Sequence, residues 1–300
     1  MGAESPSPPS GASPAPASVA PPAPRPVDRT VVAVSWGLRI TALVYVAALL
    51  LGPLVLVLIN TFSSGVGDAW AAVTSPTALH ALYLTVLIAL IAVPLNAVFG
   101  VLAALVLVRR RMPGKPLLSA LIDLPLALSP VVVGLALVLV WGRNGWFGGA
   151  LDDAGIQVIF AVPGMVLATI FVSLPFVVRE VVPVLREVGS DQEEAAATLG
   201  AGPWTTFWRI TLPAIRWGII YGVVLTTARA LGEYGAVRIV SGGIAGRTET
   251  LTLHVEERFQ AFDPVAAYGA SMVLAVLALL VVAVMNLLNR RGGGDGNHGH

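Results

Sequence analysis

The chain has 300 residues, of which 56% are hydrophobic and only 12% charged, with a formal net charge of +1 and no cysteine. Soluble domains carry about 25% charged residues, so this composition points to a membrane protein, and the near-zero net charge leaves no global basic field for nucleic acid. Without cysteine there is no disulfide, thiolate metal site or cysteine nucleophile.

Pro, Ala and Ser fill 20 of the first 26 residues. Such a segment buries too little apolar surface to offset its ordering entropy, so residues 1–30 read as a disordered cytoplasmic tail. It lacks the apolar stretch of a secretory signal, and the first span is expected to be retained as an anchor. Six stretches are then apolar enough to cross a bilayer, which takes about 20 helical residues. They lie near Trp36–Ile59, Leu79–Val108, Leu117–Trp141, Val158–Val178, Ile215–Leu231 and Val265–Leu288. The expected fold is all-α: a polytopic protein with six transmembrane helices over residues 31–290. Pro53, Pro94, Pro125, Pro130 and Pro175 fall inside spans. Neighbouring helices must satisfy the carbonyls they free, so kinked, packed helices are predicted. Residues 291–300 read as a loose tail, in which His298 and His300 signify no metal site.

Lys and Arg near the spans set the orientation. With the N-terminus inside, the inner segments hold Arg25, Arg29, Arg109, Arg110, Arg111, Lys115, Arg179, Arg186, Arg209, Arg216, Arg290 and Arg291. The outer segments hold only Arg143, Arg238, Arg247 and Arg258. Both termini are therefore expected in the cytoplasm, as is the polar loop of about residues 185–213.

That loop carries Glu194-Ala195-Ala196, then Gly200, then Ile210-Thr211-Leu212-Pro213, which fits E-A-A-x3-G-x9-I-x-L-P at every position. Ser190 and Glu193 fit a capping box at the start of a short helix. Glu193 and Glu194 suit its dipole, and Gly200 suits the positive φ past its end. Pro203 is placed to open a second short helix, which Pro213 is expected to break before the next span. An amphipathic connector lying on the membrane would also accommodate Trp204, Phe207 and Trp208. There is no G-x4-G-K-[ST], and Lys115 is the single lysine, in Pro113-Gly114-Lys115-Pro116. The chain thus has no P-loop for ATP, and neither H-E-x-x-H nor G-x-S-x-G occurs.

The loop motif resembles the EAA loop of the type I, binding-protein-dependent ABC importer permeases. Leu124–Gly134 resembles the third span of sulfate and molybdate permeases. Asn144–Gly148, Phe160–Gly164 and Ala228–Val237 look like the sulfate branch. Val240–Leu251, followed by Leu253–Glu256, looks like the W-type (CysW) family of the sulfate/thiosulfate importers. The similarity covers roughly residues 30–290. It implies a multi-pass protein of the bacterial inner membrane, paired as a heterodimer with a related T-type permease. Two ABC ATPase copies would dock beneath, and an extracytoplasmic sulfate-binding protein would deliver the anion. ATP and Mg would bind the ATPase, with no cofactor on this chain, no catalytic residue and no nucleic-acid partner. Glu194, Ala195, Ala196, Gly200, Ile210, Leu212 and Pro213 would then couple ATPase movement to the spans. Gly200 would set the angle between two helices, and Glu194 would meet a basic or amide group of the ATPase.

Charges inside spans are costly and have reasons. Arg229 and Glu233, four residues apart, are placed to pair on one helix face. Arg229, Glu233 and Arg238 are candidates for an anion pathway, against the simpler reading that Arg229 only neutralises Glu233. Asp123 would repel an oxyanion and is expected to make a structural bond. Gly232, Gly235, Gly242, Gly243 and Gly246 would permit a tightly turned outer segment. Molybdate or tungstate import is the nearest alternative, and a secondary transporter a more distant one, since inverted repeats and midplane ionisable residues are not evident.

Overall fold

The computed structural model describes Gly2 and residues 29–292. The Pro/Ala/Ser-rich tail and the end bearing His298 and His300 lie outside the described residues. In chain order the helices are α1 (Arg29–Phe62), α2 (Val66–Val73), α3 (Pro76–Arg109), α4 (Lys115–Ala127), α5 (Pro130–Trp141), α6 (Gly148–Asp153) and α7 (Val162–Val188). They continue with α8 (Asp191–Thr198), α9 (Pro203–Thr206), a π-helical segment (Phe207–Thr211), α10 (Leu212–Leu231), α11 (Gly235–Ser241), α12 (Leu251–Gln260) and α13 (Pro264–Gly292). The chain divides into two compact units, with the boundary at Gly52–Pro53 inside α1. In the first unit the described structure is the opening part of α1. The second unit carries everything from Pro53 onward.

Among the described residues five helices are long and apolar enough to cross a membrane, or six if α4 and α5 together make one span. The expected continuous third span, Leu117–Trp141, is broken: α4 and α5 meet at a bend of 114°. The cause is Pro130. Its ring pushes the preceding residue out of the helical region, and Leu128 and Ser129 are extended, with ψ of 145° and 134°. Pro125, by contrast, stays inside α4, and Pro94, Pro175 and Pro183 stay inside α3 and α7.

Two other boundaries move. The fourth span starts at Val162 rather than Val158, after Phe160 with φ of 60°, and runs on to Val188. The fifth is not the shortest: Pro203–Leu231 forms one 29-residue run. Pro213 does not break it. Proline has no amide for the carbonyl four residues earlier, and the chain adapts by widening to a π turn, in which the Leu212 amide donates to the Phe207 carbonyl.

In the second unit α3, α7 and α10 pack on one another. Val177 of α7 sits where Gly100 of α3 and Gly222 of α10 approach. A Cβ on Gly100 would lie 2.7 Å from the Val177 Cβ, and one on Gly222 would lie 2.9 Å from the Val177 Cα. Small residues at such crossings let backbones close up where no hydrophobic force drives helices together. Apolar side chains fill the space on either side. Leu84, Ile88, Met165, Val172 and Val237 form one cluster, and Val101, Ala104, Val177, Val181 and Ile215 another. In the α3–α7 interface Asn96 donates to Ser173 Oγ at 2.7 Å, and the Ser173 hydroxyl donates in turn to the Thr169 carbonyl. The bond serves the buried amide nitrogen, while Asn96 Oδ1 has no hydrogen-bond partner among the described residues.

Candidate functional site

The 185–213 loop is built on the ends of α3 and α7. Its first helix, α8, ends in a Schellman motif: the Gly200 amide donates to the Ala197 carbonyl at 3.0 Å and the Ala201 amide to the Ala196 carbonyl at 3.0 Å. Gly200 has φ of 83°, the left-handed conformation that only glycine adopts cheaply. Pro203 occupies the first turn of α9, where its missing amide costs nothing.

The capping box does not form. Ser190 has helical rather than extended dihedrals and its side chain caps no backbone amide. Its hydroxyl donates instead to Glu194 Oε1 at 2.7 Å. Glu193 is drawn away by stronger partners: Arg109 Nε lies 3.0 Å from Glu193 Oε2, and Thr211 donates to Glu193 Oε1 at 2.9 Å. Arg109 also donates to the carbonyls of Leu185, at 3.1 Å, and Gly189, at 2.5 Å. One guanidinium on α3 thus holds the end of α7, the start of α8 and, through Glu193, the π segment leading into α10. Arg's five donors in a rigid fork suit this divided load.

The loop-motif residues fall into two groups. Ala196 is buried, and Ile210 and Leu212 are half-buried. Glu194, Ala195, Gly200 and Pro213 are exposed. Beside the Gly200 turn, Leu199 is 88% exposed and Trp204 73% exposed. Trp204 also meets Phe207 and Trp208, with ring centroids 6.4 and 5.6 Å away. A rigid turn therefore presents a carboxylate, a leucine and an indole outward.

At the far ends of α3 and α7 a second cluster joins α10, α11 and α12. Arg229 Nη1 lies 2.6 Å from Glu233 Oε2, and Glu233 Oε1 accepts from the Ala236 amide at 3.0 Å. Arg238 Nε lies 3.1 Å from Glu256 Oε2. Both candidate anion-binding arginines are thus engaged by carboxylates. Glu256 also hydrogen-bonds the Tyr234 phenol, which with partial burial pushes that phenol above its ordinary pKa. Beneath them Glu249 and His254 are each 1% exposed and joined at 2.8 Å. Burial pushes the Glu249 carboxyl up, but hydrogen bonds from His254 and Glu257 and the nearby positive charges outweigh it, for a net downward shift. Glu257 moves the opposite way, raised by its hydrogen bond to Glu249 and by burial. Of the two glutamates, Glu257 is therefore the more readily protonated. Thr85 of α3 accepts from the Leu251 amide at 2.8 Å and fixes this cluster to the bundle. Next to it, the loop after α5 folds round a cavity of about 640 Å³ between Trp141, Arg143, Asp152 and Phe160. Gly242, with φ of 69°, leaves room for the Phe160 ring, which an added Cβ would meet at 2.8 Å. Asp123 makes the expected structural bond, to Arg179 at 3.0 Å.

Residues 96–292 match the family model described as the inner membrane component of binding-protein-dependent transport systems. The chain belongs to this family of permeases. It is 52% identical over 252 residues to the sulfate transport system permease protein CysW of Synechocystis, covering 84% of this chain and 91% of that one. It is 41% identical over 253 residues to the CysT permease protein of Escherichia coli K12, covering 84% and 91%. The solved structure of a bacterial ABC transporter that imports the acidic polysaccharide alginate contains a chain of the same fold, with a TM-score of 0.74 at 17% identity, over 88% of this chain and 97% of that one. As a permease the chain is an all-helical, multi-pass inner-membrane component and not itself the ATPase.

The sequence pointed to the exposed half of the loop motif but missed its clamp. Arg109 registered only as an inside charge and Glu193 only as a cap, and a separation of 84 positions hides the pairing. The Glu249–His254–Glu257 cluster was also missed. Its one visible signal was four ionisable residues, Glu249, His254, Glu256 and Glu257, within nine positions of a largely apolar chain.

Proposed function

We propose that this permease is the CysW-type subunit of an importer that moves sulfate or thiosulfate into the cell at the expense of ATP bound, with Mg, to a separate ATPase. The 52% identity to a permease named for sulfate transport, set against 41% to a CysT protein, carries the substrate and the subunit type. The partners in this reading are a CysT-type permease, an ABC ATPase pair and an extracytoplasmic binding protein. Both termini lie in the cytoplasm, in line with twelve Lys and Arg inside against four outside.

In the proposed mechanism the exposed tip formed by Glu194, Ala195, Gly200, Leu199 and Trp204 seats in the ATPase. Movement of that tip reaches α3, α7 and α10 together through Arg109, Glu193 and Thr211. Ala196, Ile210 and Leu212 hold the tip to the spans, and Pro213, exposed, sets the π turn that leads into α10. The Arg229–Glu233 and Arg238–Glu256 pairs lock the outer segment rather than bind the anion. The test is labelled sulfate uptake in cells lacking this protein, restored by the wild type, with thiosulfate and molybdate as competitors. Restoration competed by thiosulfate supports the reading. Preferential competition by molybdate moves the substrate to the molybdate/tungstate class, and uptake that survives loss of the ATPase overturns the ABC importer reading.

A further inference from the structure

We propose that one buried water molecule bridges Asn96 of α3 and Thr226 of α10, tying α10 to the α3–α7 pair inside the spans so that the three helices move together during transport. Asn96 Oδ1 and Thr226 Oγ1 are both enclosed, and neither has a hydrogen-bond partner among the described residues. Both residues are 0% exposed, so nothing outside the chain reaches them. Polar groups left unpaired at such a place are costly, the more so within a span, where bulk water cannot serve them.

The register of the helices puts the two oxygens in one layer. Asn96 bonds Ser173, and four residues further along both helices a Cβ on Gly100 would lie 2.7 Å from the Val177 Cβ, so α3 and α7 run parallel. α10 runs the other way. A Cβ on Gly218 would lie 3.4 Å from the Val181 Cα, and one on Gly222 would lie 2.9 Å from the Val177 Cα. The next step of four sets Thr226 against Ser173. One turn beyond, Val93 of α3 and Ala230 of α10 share a cluster, so Asn96 and Thr226 are bracketed on both sides.

Hydrogen bonding fixes how the groups point. The Ser173 hydroxyl donates to the Thr169 carbonyl, so it offers Asn96 only lone pairs and must receive the amide nitrogen. Oδ1 is left on the other side of the amide. Thr85, Thr169 and Thr227 each bond the carbonyl four residues back in their own helix. Thr226 makes no such bond to Gly222, so its hydroxyl is turned away from its own helix. Water donates to the amide oxygen and accepts from the hydroxyl, and buried waters typically hold about two to four polar partners. An anion would be repelled by Oδ1. A cation would find no counter-charge among Asn96, Thr169, Ser173 and Thr226, and the nearest charged residue along α10, Arg229, is itself positive. Gly218 and Gly222 bring α10 close to α7 but have no side chains to interlock, so the bridge supplies the directional tie. Arg109 and Glu193 join the same helices at the loop end, and this second tie keeps them in step further along. That role rests on the importer function proposed above; the water site does not.

The test uses the whole transporter complex. Thr226→Val keeps the shape of threonine without its hydroxyl. With the bridge in place it takes a partner from the water and should lower Tm by about 2 °C. Without a bridge it removes an unpaired buried hydroxyl, and Tm should hold or rise. Asn96→Leu should also lower Tm, and the double variant should lose less than the two single losses together, as members of one hydrogen-bond network do. Uptake per ATP hydrolysed should fall about twofold in Thr226→Val at equal membrane levels, within the range for a residue that couples two sites. Thr226→Ser, which keeps the hydroxyl, should hold both Tm and uptake near wild type. A high-resolution cryo-EM map is expected to show density within hydrogen-bond distance of both oxygens. An undiminished Tm in Thr226→Val, additive losses, direct contact of Asn96 with Thr226 in the map, or a Tm raised by sodium chloride over choline chloride would each overturn the bridge. Unchanged uptake per ATP in a Thr226→Val complex of lowered Tm would overturn its role in transport. A wild-type complex that takes up no sulfate would sink the proposed function and leave the Tm and density results to judge the water.

Discussion

Arg109 and Glu193 meet at 3.0 Å across 84 positions of sequence, each about four-fifths buried. This contact joins the loop that carries the exposed motif to the bundle. Removing one partner leaves a partly buried charge and two carbonyls short of a donor, a loss of about 1–3 kcal/mol. Arg109→Gln should therefore lower the Tm of the purified complex and reduce transport more than ATP hydrolysis. Arg109→Lys should not rescue it, because a single ammonium cannot serve Leu185, Gly189 and Glu193 in the same fork geometry. Coupling that survives both substitutions would remove the clamp from the mechanism.

Gly200 tests the turn apart from the clamp. Nothing lies within 4 Å of a Cβ built there, so a substitution is penalised by its φ of 83° alone. That penalty is about 1–2 kcal/mol for an ordinary residue and smaller for Asn, which visits the left-handed region more readily. Transport by Gly200→Asn should exceed that of Gly200→Ala, and Gly200→Val should be poorest. Equal uptake by all three, at equal membrane levels, would mean that the turn angle does not matter to coupling.

Which parts of this molecule were legible follows from how far apart the interacting groups lie. The spans rest on runs of apolar residues, and the Gly200 turn on its immediate neighbours, so both could be read locally. The break at Pro130 was misread because a proline inside an apolar run is compatible with a kink or a full stop. Which one occurs depends on the packing of α5 against α11, far along the chain. Pro213 was misread in the opposite sense, since a π turn absorbed it. The Ser190 capping box failed because Arg109 competed for Glu193, and a local rule cannot weigh a distant guanidinium.

The opposed shifts of Glu249 and Glu257 give a pH dependence whose sign can be worked out. The Glu249 pKa is depressed by folding, so its contribution is present above the unfolded value of 4.5 and lost as pH falls through the folded one. The Glu257 pKa is raised, so its contribution is full below 4.5 and lost as pH climbs through its folded value. Glu257→Gln keeps a donor toward Glu249 without a proton to lose. It should raise the Tm of the complex at pH 8 and leave it nearly unchanged at pH 4. A Tm gain of the same size at both would show that folding does not raise the Glu257 pKa.

The outer ion pair can be separated from an anion site by a double variant. At 2.6 Å from Arg229, with one oxygen committed to the Ala236 amide, Glu233 is 3% exposed. Arg229→Gln would strand that buried carboxylate, and truncating one partner of such a pair costs about 3–5 kcal/mol when fully buried, less here because Arg229 is 31% exposed. The single variant should therefore lose sulfate uptake whichever role Arg229 plays. The double variant Arg229→Gln with Glu233→Gln removes both charges and keeps an amide to receive the Ala236 bond. Recovery to roughly half of wild-type uptake or better is expected if the pair only locks α10 to α11, since neutral replacements of paired charges are often tolerated. If the double variant transports no better than Arg229→Gln at equal membrane levels, the positive charge itself acts on the anion, and Arg229 returns to the translocation pathway.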